Sequence, residues 1–501
     1  MDSIFKEILK SRVYDISART PLEPAPQLGA ALGNQVFLKR EDLQPVFSFK
    51  IRGAYNKISH LSSSLQQKGV IAASAGNHAQ GVALSAQSLG ISATIVMPKT
   101  TPTIKVDAVR RLGASIILYG DNYSQAEAHC KKLAAKRGLS LVHPFDDPLV
   151  VAGQGSIGKE IYEDCPDVDY VFVPVGGGGL IAGVAAFLKE MDPCIKVIGV
   201  EPADSDAMSQ SLSCGKVVEL SSVGLFADGV AVKRVSDYTF SLAQKYVDHM
   251  ITVSTDEISC AMSDIYRETR VILEPSGALS YAGLSKFVSC RKLTGKKMVA
   301  INSGANMNFQ RLQFVAERAA TGAGREALVA VCLPEKPGAL KKLCQDVLNG
   351  KSITEFNYRK GARDKAYIFL GVGLLGPLCK GSLLEQLDEM GYPYQDLTEN
   401  ELAKVHLRHL VGGKSVGALR ERVIRFAFPE RSGALFEFLE KMVTRWNISL
   451  FHYRCHGGDI GRVLIGFEVP FGEEDGFSAF LAAARYPYVD ETENEACDLF
   501  L

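Results

Sequence analysis

The sequence predicts an α/β protein with a large first part, expected to fold as two lobes, and a smaller second part that is duplicated. Between about residues 35 and 320, short apolar runs alternate with segments whose apolar residues recur at helical spacing. Strands separated by helices in this rhythm form parallel sheets that are covered on both faces. Beyond residue 321, pairs of motifs return at one constant offset, which is typical of duplicated domains. A chain of 501 residues is expected to form two or three domains.

Six apolar runs in the first part are predicted strands, and the segments between them are predicted helices. The strands are residues 70–74, 93–97, 115–119, 170–175, 196–200 and 298–302. The helical segments are residues 77–89, 103–112, 122–137 and 180–191. The run from Tyr170 to Leu188 carries no charge and is long enough to raise the question of a membrane span, but Pro174 and five glycines interrupt it. A buried strand, a glycine turn and a helix start explain this run better.

The second part contains two copies of one unit. "LPEKPGAL" (333–340) returns as "FPERSGAL" (428–435), and "ITEFNYR" (353–359) returns as "ISLFHYR" (448–454), both at an offset of 95 residues. Each unit is predicted to run strand, turn into helix, strand and strand, which gives a small α/β sandwich. A hinge is expected at residues 320–328. The predicted domains are residues 1–321, 326–398 and 421–492.

The composition excludes several classes of protein. Lys plus Arg and Asp plus Glu number 56 each, so no overall field attracts nucleic acid or an anionic membrane. The eleven cysteines are scattered without a CxxC pair, which favours free thiols in a reducing compartment over disulfides or a zinc site. The first residues lack the apolar core of a signal peptide. We therefore expect a cytoplasmic protein without a metal, a nucleic-acid partner or a membrane partner.

A lysine in apolar surroundings is the first chemical feature. Lys50 stands between Phe49 and Ile51 in "SFKIRGAY", just ahead of a predicted helix. A lone lysine usually extends its amine into water. The alternative is a desolvated amine with a lowered pKa, which could form a Schiff base.

Four successive glycines form the second feature. "VPVGGGGLIAG" (173–183) is an apolar strand followed by Gly176 to Gly179 and a helix start, where backbone N–H groups and the helix dipole can hold an anion. A tight turn would need only one or two glycines. Glu201 lies 22 residues after Gly179, so the spacing alone does not exclude a dinucleotide. Because the glycines are contiguous and no Walker lysine follows, the loop favours a single phosphate.

Three further motifs place polar groups where predicted strands end or helices begin. "SAGNHAQG" (74–81) offers N–H groups and the Asn77 amide to a carboxylate, although an ordinary helix cap at Ser74 or Asn77 is the simpler alternative, and His78 is expected to be structural. Ser303 in "INSGANMNF" (301–309) is either a turn residue or a neutral partner for a heteroaromatic ring. Glu274 in "EPSGAL" lies either at a cleft or on the surface. A lysine, a phosphate cradle, a carboxylate site and a ring partner are together what pyridoxal 5'-phosphate (PLP) uses.

The motifs also resemble those of a known family. "SFKIRGAY", "SAGNHAQG", "GGGGL" and "SGANMNF" stand in the order of the fold-type II PLP enzymes, which have a tryptophan synthase β-like fold. The chain closely resembles the biosynthetic threonine ammonia-lyases, also called threonine dehydratases or deaminases. Its duplicated tail resembles their paired ACT-like regulatory domains. The resemblance therefore spans essentially the whole chain.

The resemblance implies a role for each matching residue. Lys50 would be the Schiff-base lysine and the catalytic residue, and Asn77 would contact the hydroxyl of the cofactor ring. Ser303 would face the pyridine nitrogen. The phosphate would be held by Gly176, Gly177, Gly178, Gly179 and Leu180. The substrate carboxylate would be held by Ser74, Ala75, Gly76 and Asn77.

The implied reaction is β-elimination of L-threonine to 2-oxobutanoate and ammonia, which is the first committed step of isoleucine biosynthesis. L-Serine is an implied second substrate. The implied regulation is inhibition by L-isoleucine, opposed by L-valine, in a homotetramer. Tyr358 and Tyr453 occupy equivalent places in the two repeats, each followed by an arginine, so Tyr358, Tyr453 and Arg454 are candidate effector-binding residues. Their alternative role is packing between a sheet and a helix.

Other functions stay open at this point. One alternative is another PLP-dependent β-eliminase or replacement enzyme, such as a serine dehydratase, a racemase or a threonine synthase. The serine racemases share the first three motifs, but they are not expected to carry the duplicated tail. A non-catalytic amino-acid sensor would keep the fold without the reaction, although the intact Lys50 and glycine loop argue against it. The hypothesis of a nucleotide-dependent dehydrogenase is supported by the glycine loop alone.

Overall fold

The computed structural model describes the chain as two compact units, Met1–Phe309 and Gln310–Leu501. The described residues are 3–334, 339–348, 351–357, 365–376, 378–409, 420–429, 446–454, 460–484 and 486–500. In this part of the chain we find no helix with the length and the apolarity needed to span a bilayer.

The first unit contains ten strands and thirteen α-helices among its described residues. The strands are β1 (Leu22–Pro24), β2 (Gln35–Arg40), β3 (Val70–Ala73), β4 (Ala93–Met97), β5 (Ser115–Leu118), β6 (Ser140–Leu141), β7 (Tyr170–Pro174), β8 (Lys196–Pro202), β9 (His249–Val253) and β10 (Lys297–Asn302). The helices are α1 (Ser3–Leu9), α2 (Pro26–Leu32), α3 (Lys50–Ser59), α4 (Ser63–Lys68), α5 (Asn77–Ser88), α6 (Thr103–Arg111), α7 (Tyr123–Arg137), α8 (Pro148–Asp164), α9 (Gly179–Met191), α10 (Ala207–Cys214), α11 (Asp237–Tyr246), α12 (Thr255–Thr269) and α13 (Pro275–Arg291).

Two sheets divide the first unit into two lobes. The larger sheet has the order β1-β2-β10-β7-β8-β9, and all its neighbours are parallel except β1 and β2. The smaller sheet is fully parallel, with the order β5-β4-β3-β6. The six predicted strands and the four predicted helices are confirmed with ends that differ by one or two residues. The parallel α/β class is therefore correct, and the sequence analysis missed β1, β2, β6 and β9.

Each lobe has its own apolar core. In the large lobe, helices α1, α8 and α9 pack on the sheet through fully buried side chains, among them Ile8, Val151, Val171, Val173, Ile181 and Val184. In the small lobe, α3 and α5 pack on β3 and β4 through Ala54, Ile58, Val70, Val82 and Ile95. Close helix packing requires a glycine in α9, because a Cβ at Gly183 would lie 2.4 Å from the Val151 carbonyl oxygen of α8. Helix α8 itself begins after Asp147, whose carboxylate accepts a hydrogen bond from Leu149 N at 2.9 Å.

The parallel strands bring the chemical motifs together. Strand β3 ends just before Ser74, β7 ends just before the glycine loop, and β10 ends just before Ser303. Strand β10 pairs in parallel with β2 and β7, and β3 pairs in parallel with β4, so in each sheet the carboxyl ends of these strands lie at one edge. Ligands of open α/β sheets bind outside these carboxyl ends.

A buried network of charges joins β2, α3 and α8, and we name its four side chains (Lys39, Glu41, Arg52 and Glu160) the buried ion network. All four side chains are fully buried. The Arg52 guanidinium donates to Glu41 Oε1 at 2.7 Å and to Glu160 Oε1 at 2.6 Å, and Lys39 Nζ lies 2.6 Å from Glu160 Oε2. Burial alone would raise the pKa of Glu160, but Arg52 and Lys39 outweigh burial and hold this pKa below its usual range.

The second unit contains two antiparallel sheets of identical strand order. Its strands are β11 (Glu326–Pro334), β12 (Ser352–Asn357), β13 (Lys365–Gly373), β14 (Tyr394–Asp396), β15 (Glu421–Pro429), β16 (Asn447–Arg454), β17 (Ile460–Glu468) and β18 (Tyr488–Asp490). Its described helices are α14 (Leu312–Gly322), α15 (Ala339–Leu343, continued by a π-helical turn), α16 (Cys379–Glu389), α17 (Glu401–Val405), α18 (Glu474–Ala483) and α19 (Glu495–Phe500).

The two sheets confirm the duplication. Their orders are β12-β13-β11-β14 and β16-β17-β15-β18, and corresponding strands begin 95 residues apart, except that the last pair begins 94 residues apart. Strands β12 and β16 carry a bulge at the same place. Each repeat also has a second helix and a fourth strand that the sequence analysis missed. The fourth strands, β14 and β18, are only three residues long and give no periodic pattern.

The repeats share an apolar core in addition to the core that each repeat forms by itself. Side chains of both sheets and of the helices that follow them are buried together, including Leu328, Ala330, Phe369, Leu402, Val423 and Leu464. An equivalent polar contact recurs in each repeat: the Thr354 hydroxyl donates to Glu326 at 2.5 Å, and the Ser449 hydroxyl donates to Glu421. In the second repeat, the helix start predicted at "FPERSGAL" (428–435) falls on residues that are mostly outside the described ones, so it stays a prediction.

Substitution of Glu160 by Gln is expected to destabilise the first unit by about 3–5 kcal/mol, because it leaves Lys39 and Arg52 buried with Glu41 as the one fully buried carboxylate beside them. Urea unfolding of the full chain measures this loss. The matched control is Glu163→Gln on the same helix, whose exposed partner is Arg19 and whose loss should cost at most about 1 kcal/mol. Equal losses for both variants would contradict the importance of the network.

Candidate active site

One cavity in the first unit collects residues from all five sequence motifs. Its lining residues are Phe49, Lys50, Asn77, Phe145, Pro174, Gly176, Gly177, Gly178, Gly179, Leu180, Gly229, Val230, Glu274, Ser276 and Ser303. The residues that the resemblance assigns to the cofactor all contribute to this lining. Of the predicted carboxylate site, Asn77 lines the cavity, while Ser74, Ala75 and Gly76 precede it on the loop from β3.

Lys50 is the first residue of α3, and its amine points into the cavity. Lys50 Nζ donates to the Pro144 carbonyl oxygen at 3.1 Å and lies 5.2 Å from the centre of the Phe49 ring. Burial lowers the pKa of Lys50 to about 8, and the nearby Glu274 opposes this shift. The lysine does not extend into bulk water. A substantial fraction of its amine is therefore neutral and nucleophilic near physiological pH.

The glycine loop between β7 and α9 has no room for side chains. A Cβ at Gly177 would lie 2.1 Å from the Phe145 ring, and Gly178 has a left-handed backbone with φ of +88°. Helix α9 begins at Gly179, so the first N–H groups of this helix have no acceptor within it. These donors and the positive end of the helix dipole suit one compact anion such as a phosphate.

Glu201 does not support the dinucleotide alternative. Its carboxylate is buried and accepts hydrogen bonds from Met208 N at 2.9 Å and Ser209 N at 2.8 Å, at the start of α10. Burial raises the pKa of Glu201 to about 7, against the effect of these two amides. The Glu201 carboxylate therefore caps α10 and is not available to bind the ribose of a dinucleotide.

Asn77 opens α5 at the edge of the cavity. Its Nδ2 donates to Glu274 Oε1 at 2.5 Å, and its Oδ1 accepts from Asn306 Nδ2 at 2.7 Å. The N-cap residue of α5 is Gly76, without a side-chain cap, so an ordinary cap at Ser74 or Asn77 is wrong. Instead, Ser74 Oγ accepts from Gly76 N at 3.2 Å, and a Cβ at Gly76 would meet open space. Exposed N–H groups beside open space at a helix start can bind a carboxylate.

Glu274 and Ser303 lie at the start of α13, where each of them has a hydrogen bond with Ser276. Glu274 is buried, so its carboxylate lies at the cleft and not on the surface, and Ser276 Oγ donates to it at 2.8 Å. Burial and the charge of Asp228 raise the pKa of Glu274. The Ser303 hydroxyl is buried and donates to the Ser276 carbonyl oxygen at 3.1 Å.

His78 has a structural environment, as expected. It is buried, and its Nε2 lies 2.8 Å from the Val142 carbonyl oxygen. Burial, assisted by the charge of Lys50, lowers the pKa of His78 to about 3. The imidazole is therefore neutral at physiological pH.

Two cavity segments were missed by sequence reasoning. Phe145 follows β6, which is two residues long and gives no periodic pattern, and Gly229 and Val230 lie in a 3₁₀ turn. The signal for Phe145 is positional, since ligand-binding loops follow the carboxyl ends of parallel strands. Asn306 belongs to a quoted motif, yet the motif alone gave it no role.

The predicted effector residues are not tested by the structure. Tyr358 lies outside the described residues. Tyr453 and Arg454 end strand β16, whose backbone alone is described at these two positions. Their effector role stays a prediction.

Comparison with known families first gives the class of protein. A family model described as pyridoxal-phosphate dependent enzyme matches residues 13–304, and a model described as the C-terminal regulatory domain of threonine dehydratase matches twice, over residues 317–407 and 412–501. The first unit is therefore that of a PLP-dependent enzyme, and the second carries two copies of a regulatory domain. PLP as the cofactor and the fold-type II class are confirmed.

Similarity to individual proteins then gives the family. Over 500 residues, covering 99% of this chain and 98% of the relative, the sequence is 51% identical to the biosynthetic L-threonine dehydratase of Burkholderia multivorans. The solved processed form of threonine deaminase isoform 2 from Solanum lycopersicum superposes with a TM-score of 0.63 at 51% identity, over 64% of this chain and 90% of that chain. Maize serine racemase superposes with a TM-score of 0.59 at 34% identity, over 62% and 95%. The chain belongs to the threonine dehydratase family.

Substitution of Gly178 by Ala is expected to raise the dissociation constant for PLP at least about tenfold, because the added methyl disfavours the left-handed backbone that directs the loop N–H groups. Titration of the PLP-free protein, followed by absorbance, measures this constant. The matched control is Gly215→Ala, which has a similar φ of +67° and open surroundings at the end of α10. An unchanged PLP affinity in Gly178→Ala would contradict the phosphate site.

The lowered pKa of Lys50 predicts how cofactor uptake depends on pH. The neutral amine is the reactive form, so the rate of PLP uptake by the PLP-free protein should rise with pH through about 8 and then level off. Stopped-flow absorbance measures the rate, and Nα-acetyl-lysine under the same conditions should continue to rise toward pH 10.5. A protein profile that follows the free amino acid would show that the site does not lower this pKa.

Proposed function

We propose that this chain catalyses the PLP-dependent β-elimination of L-threonine to 2-oxobutanoate and ammonia, with L-serine as a second substrate. The observation that carries the proposal is the amine of Lys50, which has its pKa lowered to about 8 and shares one cavity with the glycine loop, Asn77 and Ser303. The names of the family relatives support threonine as the substrate. The proposed place of the reaction is the first committed step of isoleucine biosynthesis.

The cavity fits PLP by its own chemistry. It offers a primary amine with a lowered pKa, a glycine loop in which side chains would collide with Phe145, and free N–H groups at the start of α9. Bound PLP supplies an aldehyde that reacts with amines and a ring that withdraws electrons from the carbon next to the substrate amine. We assign Gly176, Gly177, Gly178, Gly179 and Leu180 to its phosphate.

Lys50 has two successive tasks in this proposal. Its amine holds the cofactor until the amine of threonine takes its place. The released amine then accepts the proton from the substrate Cα, and a pKa near 8 suits a group that takes up and gives back protons near neutral pH. Pro144, whose carbonyl oxygen accepts from Lys50 Nζ, helps to keep this amine at the cavity wall.

Ser303 determines which reaction follows. Its one hydroxyl hydrogen, which is donated to the Ser276 carbonyl oxygen, would turn to the pyridine nitrogen when the cofactor binds and serve as a neutral donor, whereas an aspartate would keep that nitrogen protonated. With an unprotonated ring, less charge is drawn away from the substrate Cα, and expulsion of the β-hydroxyl becomes the favoured route. This environment therefore favours elimination over transamination.

The backbone of residues 74–77 is proposed to bind the substrate carboxylate. These N–H groups lie at the positive end of α5, and the space beside Gly76 is open. Asn77 is proposed to donate its amide to the oxygen on the cofactor ring, on the same side as Glu274. The substrate and the cofactor would thus contact adjacent residues of one helix start.

We assign the second unit to feedback control by L-isoleucine, with L-valine as the antagonist. The two matches to a regulatory domain, the equivalent sheets and the core that they share support a sensor made of two packed repeats. The proposed domains remain residues 1–321, 326–398 and 421–492, in a cytoplasmic homotetramer. Tyr358, Tyr453 and Arg454 are the proposed effector contacts.

The test of the function is release of 2-oxobutanoate from L-threonine by the purified PLP-bound protein, titrated with L-isoleucine. We expect turnover that isoleucine suppresses sigmoidally and valine restores. The control is Lys50→Ala, which should lose activity by at least about a thousandfold while it folds normally. No turnover of threonine by PLP-bound protein would contradict the proposal and direct attention to racemisation of serine, as in the maize enzyme.

A further inference from the structure

Asn306 is a side chain of the active-site region to which the proposed function assigns no role. It lies three residues beyond Ser303, in the segment that follows β10. Its Nδ2 donates two hydrogen bonds, to the Val46 carbonyl oxygen at 2.9 Å and to Asn77 Oδ1 at 2.7 Å. Both hydrogens of the Asn306 amide nitrogen are therefore used.

The contact with Val46 fixes which end of the Asn306 amide faces inward. A backbone carbonyl oxygen can only accept, so the group that meets Val46 O must be the Asn306 NH₂ and not its oxygen. The same NH₂ then meets Asn77, which must present its oxygen in return. The orientation of Asn77 is thus set by a backbone atom, through Asn306.

The fixed oxygen of Asn77 leaves its NH₂ on the opposite side. There Asn77 Nδ2 donates to Glu274 Oε1 at 2.5 Å, at the wall of the cavity. An amide turned by 180° would place its oxygen against the Glu274 carboxylate and against any anionic oxygen bound in the cavity. The contact with Glu274 would be repulsive while Glu274 is ionised, and the contact with a bound anionic oxygen would be repulsive in either state of Glu274.

The backbone around Asn306 is tied to the segment that carries Lys50. Ala305 N donates to the Phe47 carbonyl oxygen at 2.9 Å, and Phe49 N donates to the Ser303 carbonyl oxygen at 3.2 Å. Phe47 has a positive φ of 55°, which is unusual for an aromatic residue and is held by these neighbours. Asn306 therefore sits on a frame that Lys50 and Ser303 share.

We propose that Asn306 is a positioning residue, which orients the Asn77 amide so that its NH₂ faces the ring oxygen of PLP. This inference rests on the proposed cofactor site. In this inference Asn306 does not contact the cofactor; it orients Asn77, which does.

The test is Asn306→Asp. An aspartate cannot donate to Val46 O or to Asn77 Oδ1, so the Asn77 amide should turn its NH₂ toward residue 306 and its oxygen toward the cavity. We expect the absorbance maximum of bound PLP to shift and the dissociation constant for PLP to rise about 10- to 100-fold. Asn122→Asp, at the exposed start of α7, introduces the same charge, keeps the capping bond from Gln125 N and should leave both quantities unchanged.

A double-mutant cycle separates orientation from general damage. In an Asn77→Ala background there is no amide to orient, so adding Asn306→Asp should leave the PLP spectrum and affinity unchanged. Effects of the two substitutions that simply add would overturn the proposal, as would a wild-type spectrum in Asn306→Asp alone. If circular dichroism shows that Asn306→Asp does not fold, Asn306→Ala enters the same cycle with the same two criteria. Failure of the wild-type protein to bind PLP would instead overturn the proposed function.

Discussion

The position of the active-site lysine depends on a set of charges that never reach water. Arg52 follows Lys50 by two residues on the same helix, and its guanidinium is fixed between Glu41 and Glu160. Because all these side chains are fully buried, a shift of α3 would leave ions unpaired inside the protein, at a cost of several kcal/mol. A buried ion pair adds little net stability compared with apolar packing, so its main effect here is geometric. It permits a single placement of the helix start and therefore of the Lys50 amine.

Strand direction supplies the second constraint. The parallel sheets end their strands at common edges, and the loops that leave these edges carry Asn77, the glycine loop and Ser303. Residues more than two hundred positions apart in the chain thereby line one cavity. Much of its binding capacity comes from backbone N–H groups at helix starts, which are rigid and carry no net charge. The single ionisable amine of the cavity can then keep a low pKa, because few charged groups surround it.

Sequence reasoning recovers the elements with strong periodicity and the motifs rich in glycine. Strands β3, β4, β7 and β10 are long apolar runs, and the constant 95-residue offset identifies the repeats without any structure. Short strands such as β6 carry no period, so the Phe145 loop could not be placed. The buried ion network was missed for a different reason. Lys39 and Glu160 are charged residues, and burial of their charges is tolerated only because they pair in three dimensions. Glu274 and Asn306 likewise depend on contacts between distant segments, which a linear pattern does not contain.

The lowered pKa of Lys50 also distinguishes its amine, in the cofactor-free chain, from an ordinary lysine. At pH 7 an amine with a pKa of about 8 is neutral roughly 300 times more often than an ordinary lysine with a pKa of 10.5. Such an amine is a preferred target for any small electrophile that enters the cavity, including sugar-derived aldehydes and isocyanate. A chain that has not yet bound PLP is therefore expected to be modified covalently at Lys50 before its ordinary lysines. The same selectivity would allow a label to be attached at this one site.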